Sequence, residues 1–212
     1  MITPLDIIDA IHNALRNAMR EIDAGAYKAA AGDGNLSPTV ERLRFFSEVL
    51  KWHADGEDEV AFPALDRVAP LVAKAYFLDH REMDTMTDGL AKIEAASDTL
   101  IAARATAELT AVLRIHLDKE DVHLYPILRE RTPAKEQASI VDAMAQHVPP
   151  ERKPEFIRWF FPLVGHDDRE TWTRVVMGLN PEHVFAGMKT LIRDTITDDW
   201  AELTRRIPEL DS

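Results

Sequence analysis

Apolar residues recur along this chain at steps of three and four, and no stretch shows the period-two alternation of a half-buried strand. The pattern predicts an all-α protein. A first helix starts at Thr3-Pro4, a capping residue with proline in the first turn, and ends near Gly25. Its stripe reads Ile8, His12, Leu15, Met19, Ile22, which places a histidine among apolar side chains. Turn-forming residues fill 31–36, and a second helix starts at Ser37-Pro38 with Phe46, Leu50, His53 and Glu57 on one face. A third, from Leu71 to Ala96, presents Tyr76, His80, Met83, Thr87 and Leu90. A fourth, from Ala105 to Glu130, presents Leu109, Leu113, His116, Glu120, His123 and Ile127. Four helices of about 20 residues with short connections predict an up-down-up-down four-helix bundle over residues 1–132.

After Thr132-Pro133 the pattern changes. A helix is expected over 134–148, with breaks at Pro149-Pro150 and Pro154. The apolar run 156–164 follows, then helices over 167–179 and 181–206 separated by Asn180-Pro181. Residues 133–212 are therefore read as a helical C-terminal extension packed on the bundle, with Trp159, Phe160 and Phe161 buried against its side or end.

Within the bundle one pattern occurs twice. His53, Glu57 and Asp58 lead to Phe62-Pro63; His116, Glu120 and Asp121 lead to Tyr125-Pro126. On a helix, residues i and i+4 stack on one face, so each copy can aim an imidazole and a carboxylate at one point. The spacing alone proves little, because His147 and Glu151, and His166 and Glu170, share it. Pro149-Pro150 interrupts the first of these pairs, and the second falls opposite an apolar stripe. The two repeated pairs instead lie on apolar stripes, where an unpaired carboxylate is costly to bury. His12 and His80 add one inward imidazole from each of the other two helices. The candidate metal ligands are therefore His12, His53, Glu57, His80, His116 and Glu120. Imidazole and carboxylate without sulfur suit iron or manganese, and zinc less specifically. Asp58 and Asp121 are placed to orient ligand imidazoles from behind. The aromatic-proline pairs are expected to end their helices.

Composition narrows the chemistry. The chain has no cysteine, which removes thiolate zinc, iron–sulfur and thiol chemistry. A net charge of −12 argues against nucleic acid and anionic membranes as partners. The N-terminus lacks the basic start and apolar run of a secretion signal, and no apolar stretch approaches a membrane span. A cytoplasmic protein is the expectation.

The order of ligands resembles the hemerythrin-like (HHE cation-binding) proteins, whose pattern is a His, a His-x-x-x-Glu, a His and a second His-x-x-x-Glu on the four helices of a bundle. The resemblance covers roughly residues 1–130. It implies a non-heme pair of iron ions with an oxo or hydroxo bridge and two bridging carboxylates. There are departures. Oxygen-carrying hemerythrins have two histidines a turn apart on the third helix, where this chain offers Tyr76 or Asp84 beside His80. They also place an aspartate five residues after the last histidine, a spacing Asp121 fills, although Glu120 mirrors Glu57. Tyr76 is thus a candidate ligand or hydrogen-bond donor, and His123, one turn beyond Glu120, a candidate pocket residue.

Three functions fit. The first is reaction with a small oxidant, peroxide or nitric oxide or both, at a carboxylate-bridged di-iron centre with an open coordination position, which would make the protein a peroxidase or other oxidoreductase. The second is reversible binding or sensing of O2, redox state or iron, and the third is iron handling.

Overall fold

The computed structural model describes residues 2–93 and 98–211, with the backbone alone for 86–93. The side chains of Thr87 and Leu90 and the expected helix end at Ala96 lie outside what is described. Helices are the only regular elements among those described. In chain order the bundle contains α1 (Asp6–Ala30), α2 (Ser37–Gly56), α3 (Phe62–Val68), α4 (Ala73–Ile93), α5 (Thr99–Lys119) and α6 (Tyr125–Arg131). α1 packs along α5 and α2, and α4 along α5.

α1 does not end at Gly25. A Cβ there would lie 2.4 Å from Thr39 Oγ1, so this glycine allows α1 and α2 to approach closely. The helix stops beyond Ala30 in a Schellman motif: Gly32 takes φ +85°, its N–H donates to the Ala29 carbonyl, and the Asp33 N–H donates to that of Lys28. α5 begins earlier than the apolar pattern indicated, because the Asp98 side chain accepts from the Leu100 and Ile101 N–H groups and caps it.

The aromatic-proline pairs do not end their helices. Glu57–Ala61 and Glu120–Leu124 each form one turn of π-helix that runs straight into α3 or α6. The N–H of Phe62 reaches back five residues to the Glu57 carbonyl, and that of Tyr125 to the Glu120 carbonyl. Proline has no N–H, and its ring collides with the carbonyl four residues back; a wider turn carries that carbonyl aside. The wider turn also advances the buried register by one. Leu124, Tyr125 and Leu128 are buried after Glu120, while His123 is exposed and Ile127 only half-buried.

The extension holds α7 (Ala134–Ala145), α8 (Lys153–Leu163), α9 (His166–Leu179), α10 (Glu182–Thr195) and α11 (Trp200–Arg206). Pro154 sits in the first turn of α8, where its missing N–H is harmless, so it begins a helix rather than breaking one. The single helix expected over 181–206 is divided at 196–199, where Asp199 Oδ2 accepts from Arg169 at 2.5 Å.

Two apolar clusters organise the molecule. One joins Leu5, Ile8, Phe62 and Tyr125 of the bundle to Phe160, Trp172 and Ile207 of the extension, so Phe160 and Phe161 are buried in a shared core. The other holds Leu15, Met19, Phe46 and Leu109. The residues of one cluster give way to those of the other near His12 on α1, between Leu50 and Ala61 around His53 and Glu57, between Tyr76 and Met83 around His80, and between Leu117 and Leu124 around Glu120, so a polar layer lies between them. α7 closes over the end of α2: a Cβ on Gly56 would sit 3.3 Å from Met144 Cβ and 3.4 Å from its Cα. Gly56→Val is expected to lower stability by about 1–3 kcal/mol through overpacking against that backbone, read as a shift of the denaturant midpoint at unchanged m-value.

Candidate metal centre

Each helix delivers its polar side chain because its apolar neighbours fix the face. His12 follows Ile8 and precedes Leu15 on the buried side of α1, and Leu109 and Leu113 place His116 on that of α5. His12, His53, Glu57, His80, His116 and Glu120 all converge in the polar layer and are buried there. They form two groups of four that share both glutamates: His12, His53, Glu57 and Glu120, and His80, His116, Glu57 and Glu120.

The oxygens are divided between the groups. Glu57 Oε1 lies 3.4 Å from His53 Nε2, and its Oε2 lies 3.4 Å from His80 Nε2. Glu120 Oε2 lies 3.6 Å from His12 Nε2, and its Oε1 lies 3.2 Å from His116 Nε2. Each carboxylate thus spans the two imidazole pairs. Within the pairs, the Nε2 atoms of His12 and His53 are 2.9 Å apart and those of His80 and His116 are 3.1 Å apart. Two ligands at about 2.1 Å from one cation and at right angles to each other are about 3.0 Å apart, so both pairs suit a shared metal.

The backs of three rings are anchored. Nδ1–H of His12 donates to Asp121 Oδ1 at 2.6 Å, that of His80 to Asp58 Oδ1 at 2.7 Å, and that of His116 to Asp79 Oδ2 at 3.4 Å. A proton on Nδ1 leaves the Nε2 lone pair aimed inward, the tautomer a metal ligand needs. Arg16 grips Asp121 at 2.6 Å, and Lys119 grips Asp79.

The electrostatics describe a site built for positive charge. Glu57 Oε2 and both oxygens of Glu120 are buried without a hydrogen-bond partner, an expensive arrangement for anions unless a cation offsets it. Burial drives the Glu120 carboxyl well above its usual range, and Glu57 adds to the rise. Burial pushes Glu57 the same way, but the imidazoles of His53, His12 and His80 close to it outweigh burial and hold its carboxyl well below normal. Burial lowers His53 and His116 to about 4, so both are neutral, ligand-ready imidazoles. Burial also acts to lower His12 and His80, but carboxylate partners overcome it and raise both.

Several side chains differ from the sequence expectation. The Tyr76 hydroxyl does not face the cluster; it donates to the Lys119 carbonyl at 3.2 Å. His123 is turned outward by the π-turn, and Asp84 is exposed on α4. Two partners escaped the sequence reading. Asp79 gave no signal beyond preceding His80. Tyr125 differs from Phe62 in the repeat by one hydroxyl, and that hydroxyl donates to Glu57 Oε1 at 2.5 Å. Of the rejected pairs, His147 lies near Glu59, and Glu170 pairs with Arg174 and Arg206. No helix among the described residues is long and apolar enough to cross a membrane.

Comparison with known proteins agrees with this geometry. Residues 3–98 match the family described as the hemerythrin HHE cation binding domain. The chain is 30% identical over 174 residues to the zinc finger protein BRUTUS of Arabidopsis thaliana, and 28% and 20% identical to two BRUTUS-like zinc finger proteins of that plant. The first alignment covers 79% of this chain, more than the bundle alone supplies, and 14% of the relative. The chain thus spans only a small part of the relatives it matches. No solved structure matches at a significant level.

Proposed function

The chain carries a hemerythrin HHE cation-binding domain, and from that premise we propose that it holds two iron ions and reacts there with a small oxidant, peroxide or nitric oxide. The observation that carries this reading is the division of donors: each histidine pair, with one oxygen from each shared glutamate, supplies four ligand atoms. Iron commonly takes six ligands, so each position retains room for a small molecule beside the protein donors. His12 and His53 would hold one ion, His80 and His116 the other, and Glu57 and Glu120 would bridge them. Bound there, the pair would supply reversible electron transfer and open coordination positions.

The chain's own side chains would do the rest. Asp121, Asp58 and Asp79 fix three imidazoles in the ligating tautomer. Tyr125 holds Glu57 in place through Oε1. Phe46, Leu50, Leu113 and Met83 are buried beside the ligands and keep bulk water from the reacting space. A second reading, reversible binding or sensing of O2 or iron, draws on the shared core: Ile8, one turn from His12, packs in the same cluster as Phe160 and Trp172 of the extension.

Metal analysis with an absorption spectrum of the purified protein is expected to give two iron equivalents per chain and iron charge-transfer bands. Stopped-flow mixing with peroxide, nitric oxide and O2 then separates the readings. Catalytic turnover supports the reactive centre, and a stable adduct reversed by removing the gas supports the sensor. One metal per chain at saturation would refute the paired site.

A further inference from the structure

Three of the four inward imidazoles have a carboxylate behind Nδ1; among the described residues His53 has none. Its Nε2 edge faces His12 and Glu57, and its Nδ1 has no hydrogen-bond partner among the described residues. Ligating histidines nearly always donate their second N–H to a carboxylate, a carbonyl or water. Of the six cluster residues, His53 alone lines one particular cavity. That cavity, ≈ 200 Å³, lies on the seam between the bundle and the extension. The His53 Nδ1 has no hydrogen-bond partner among the described residues and yet is not sealed in the interior, so the Nδ1 edge of the ring is the one that meets open space, and this cavity is the open space that His53 lines. The walls are mainly apolar, with Ile8, Ile11, Val49, Trp52, Phe156 and Val176 among them. Lys153, at the first turn of α8, is a cationic member of the lining and pairs with no carboxylate among the described residues. Asp142 also lines it but is exposed at the rim, where solvent screens its charge.

We propose that this cavity binds a small monocarboxylate with an apolar body of roughly six to eight carbons, whose carboxylate accepts the His53 Nδ1–H and faces Lys153. The size follows from volume: a cavity of about 150 Å³ takes up benzene, and this one is larger. The bound anion supplies from outside the partner that Asp121, Asp58 and Asp79 supply to the other rings. A cation on Nε2 leaves the neutral ring's only proton on Nδ1, so metal occupancy and carboxylate binding strengthen each other reciprocally. This inference rests on the metal reading in that one respect.

The test is calorimetric titration of the full chain with hexanoate and with hexanol, in metal-loaded and metal-free forms, with metal content measured on the same samples. Saturable hexanoate binding is expected, tighter in the loaded form, with hexanol at least about fivefold weaker. Lys153→Gln is expected to weaken hexanoate by about tenfold and leave hexanol unchanged. Val176→Phe, on α9 away from the ligands, is expected to abolish hexanoate binding at unchanged metal content and thermal midpoint. Equal affinity for hexanol and hexanoate, full hexanoate binding by Val176→Phe, or no binding to fully loaded protein would each overturn the proposal. A chain that takes up no metal yet binds hexanoate in a Lys153-dependent way would support the cavity site while refuting the metal reading.

Discussion

Glu57→Ala is expected to empty both metal positions, whereas His80→Ala is expected to remove one. The difference follows from reach. Glu57 Oε1 serves the His12 and His53 side and Oε2 the His80 side, each at 3.4 Å from an imidazole nitrogen. Removing it takes a donor from both groups and leaves Glu120 as the one carboxylate to offset two cations in a dry layer. The energetic scale is large, because a buried charge without its partner costs about 3–5 kcal/mol. His80 belongs to one group only. Its loss leaves His12, His53, Glu57 and Glu120 together. Metal analysis after desalting should therefore fall from two equivalents to near zero for Glu57→Ala and to about one for His80→Ala. The exposed His123 serves as the control, and His123→Ala should retain full content. Two equivalents bound by His80→Ala would mean that the ligands are assigned wrongly.

Deleting residues 133–212 is expected to leave a chain without a cooperative unfolding transition. The sequence divides readily at Thr132-Pro133, but the apolar core does not. Leu5, Ile8, Phe62, Leu65 and Tyr125 of the bundle are buried in the same cluster as Phe160, Phe161, Trp172 and Ile207. Removing the extension would expose that entire face, far more than one side chain. A milder version is Phe160→Ala: the ring is fully buried and stacks among Phe156, Phe161 and Trp172. It should destabilise by about 3–5 kcal/mol. Circular dichroism during thermal melting checks both, with one sharp transition for the full chain and a broad or absent one for the truncation. A truncated bundle that melts sharply and still binds metal would show that the two parts fold independently.

The six cluster residues were legible in the sequence because helical spacing shows which side chains share a face, and the apolar stripes and the repeated pattern showed which of those faces turn inward. Ile8, His12 and Leu15 on α1, and Leu113, His116 and Glu120 on α5, needed only the 3.6-residue period and their apolar neighbours to be read as inward. The helical class of the protein, confirmed by the fold, followed from the same periodicity. Local rules failed where a backbone compromise intervened. A proline after an aromatic reads as a helix end, yet the π-turns carry the chain past Pro63 and Pro126 and move His123 to the surface. Gly25 reads as a stop, but it exists for the approach of Thr39.

Contacts between distant segments were decided by the tertiary structure alone. Tyr125 meets Glu57 across 68 residues, and His12 meets Asp121 across 109, and no spacing along one helix encodes such pairs. The chain's pattern of apolar and polar positions determined which faces turn inward. Packing of those faces decided which groups meet, because the depth, rotation and crossing of each helix are set by all its neighbours at once.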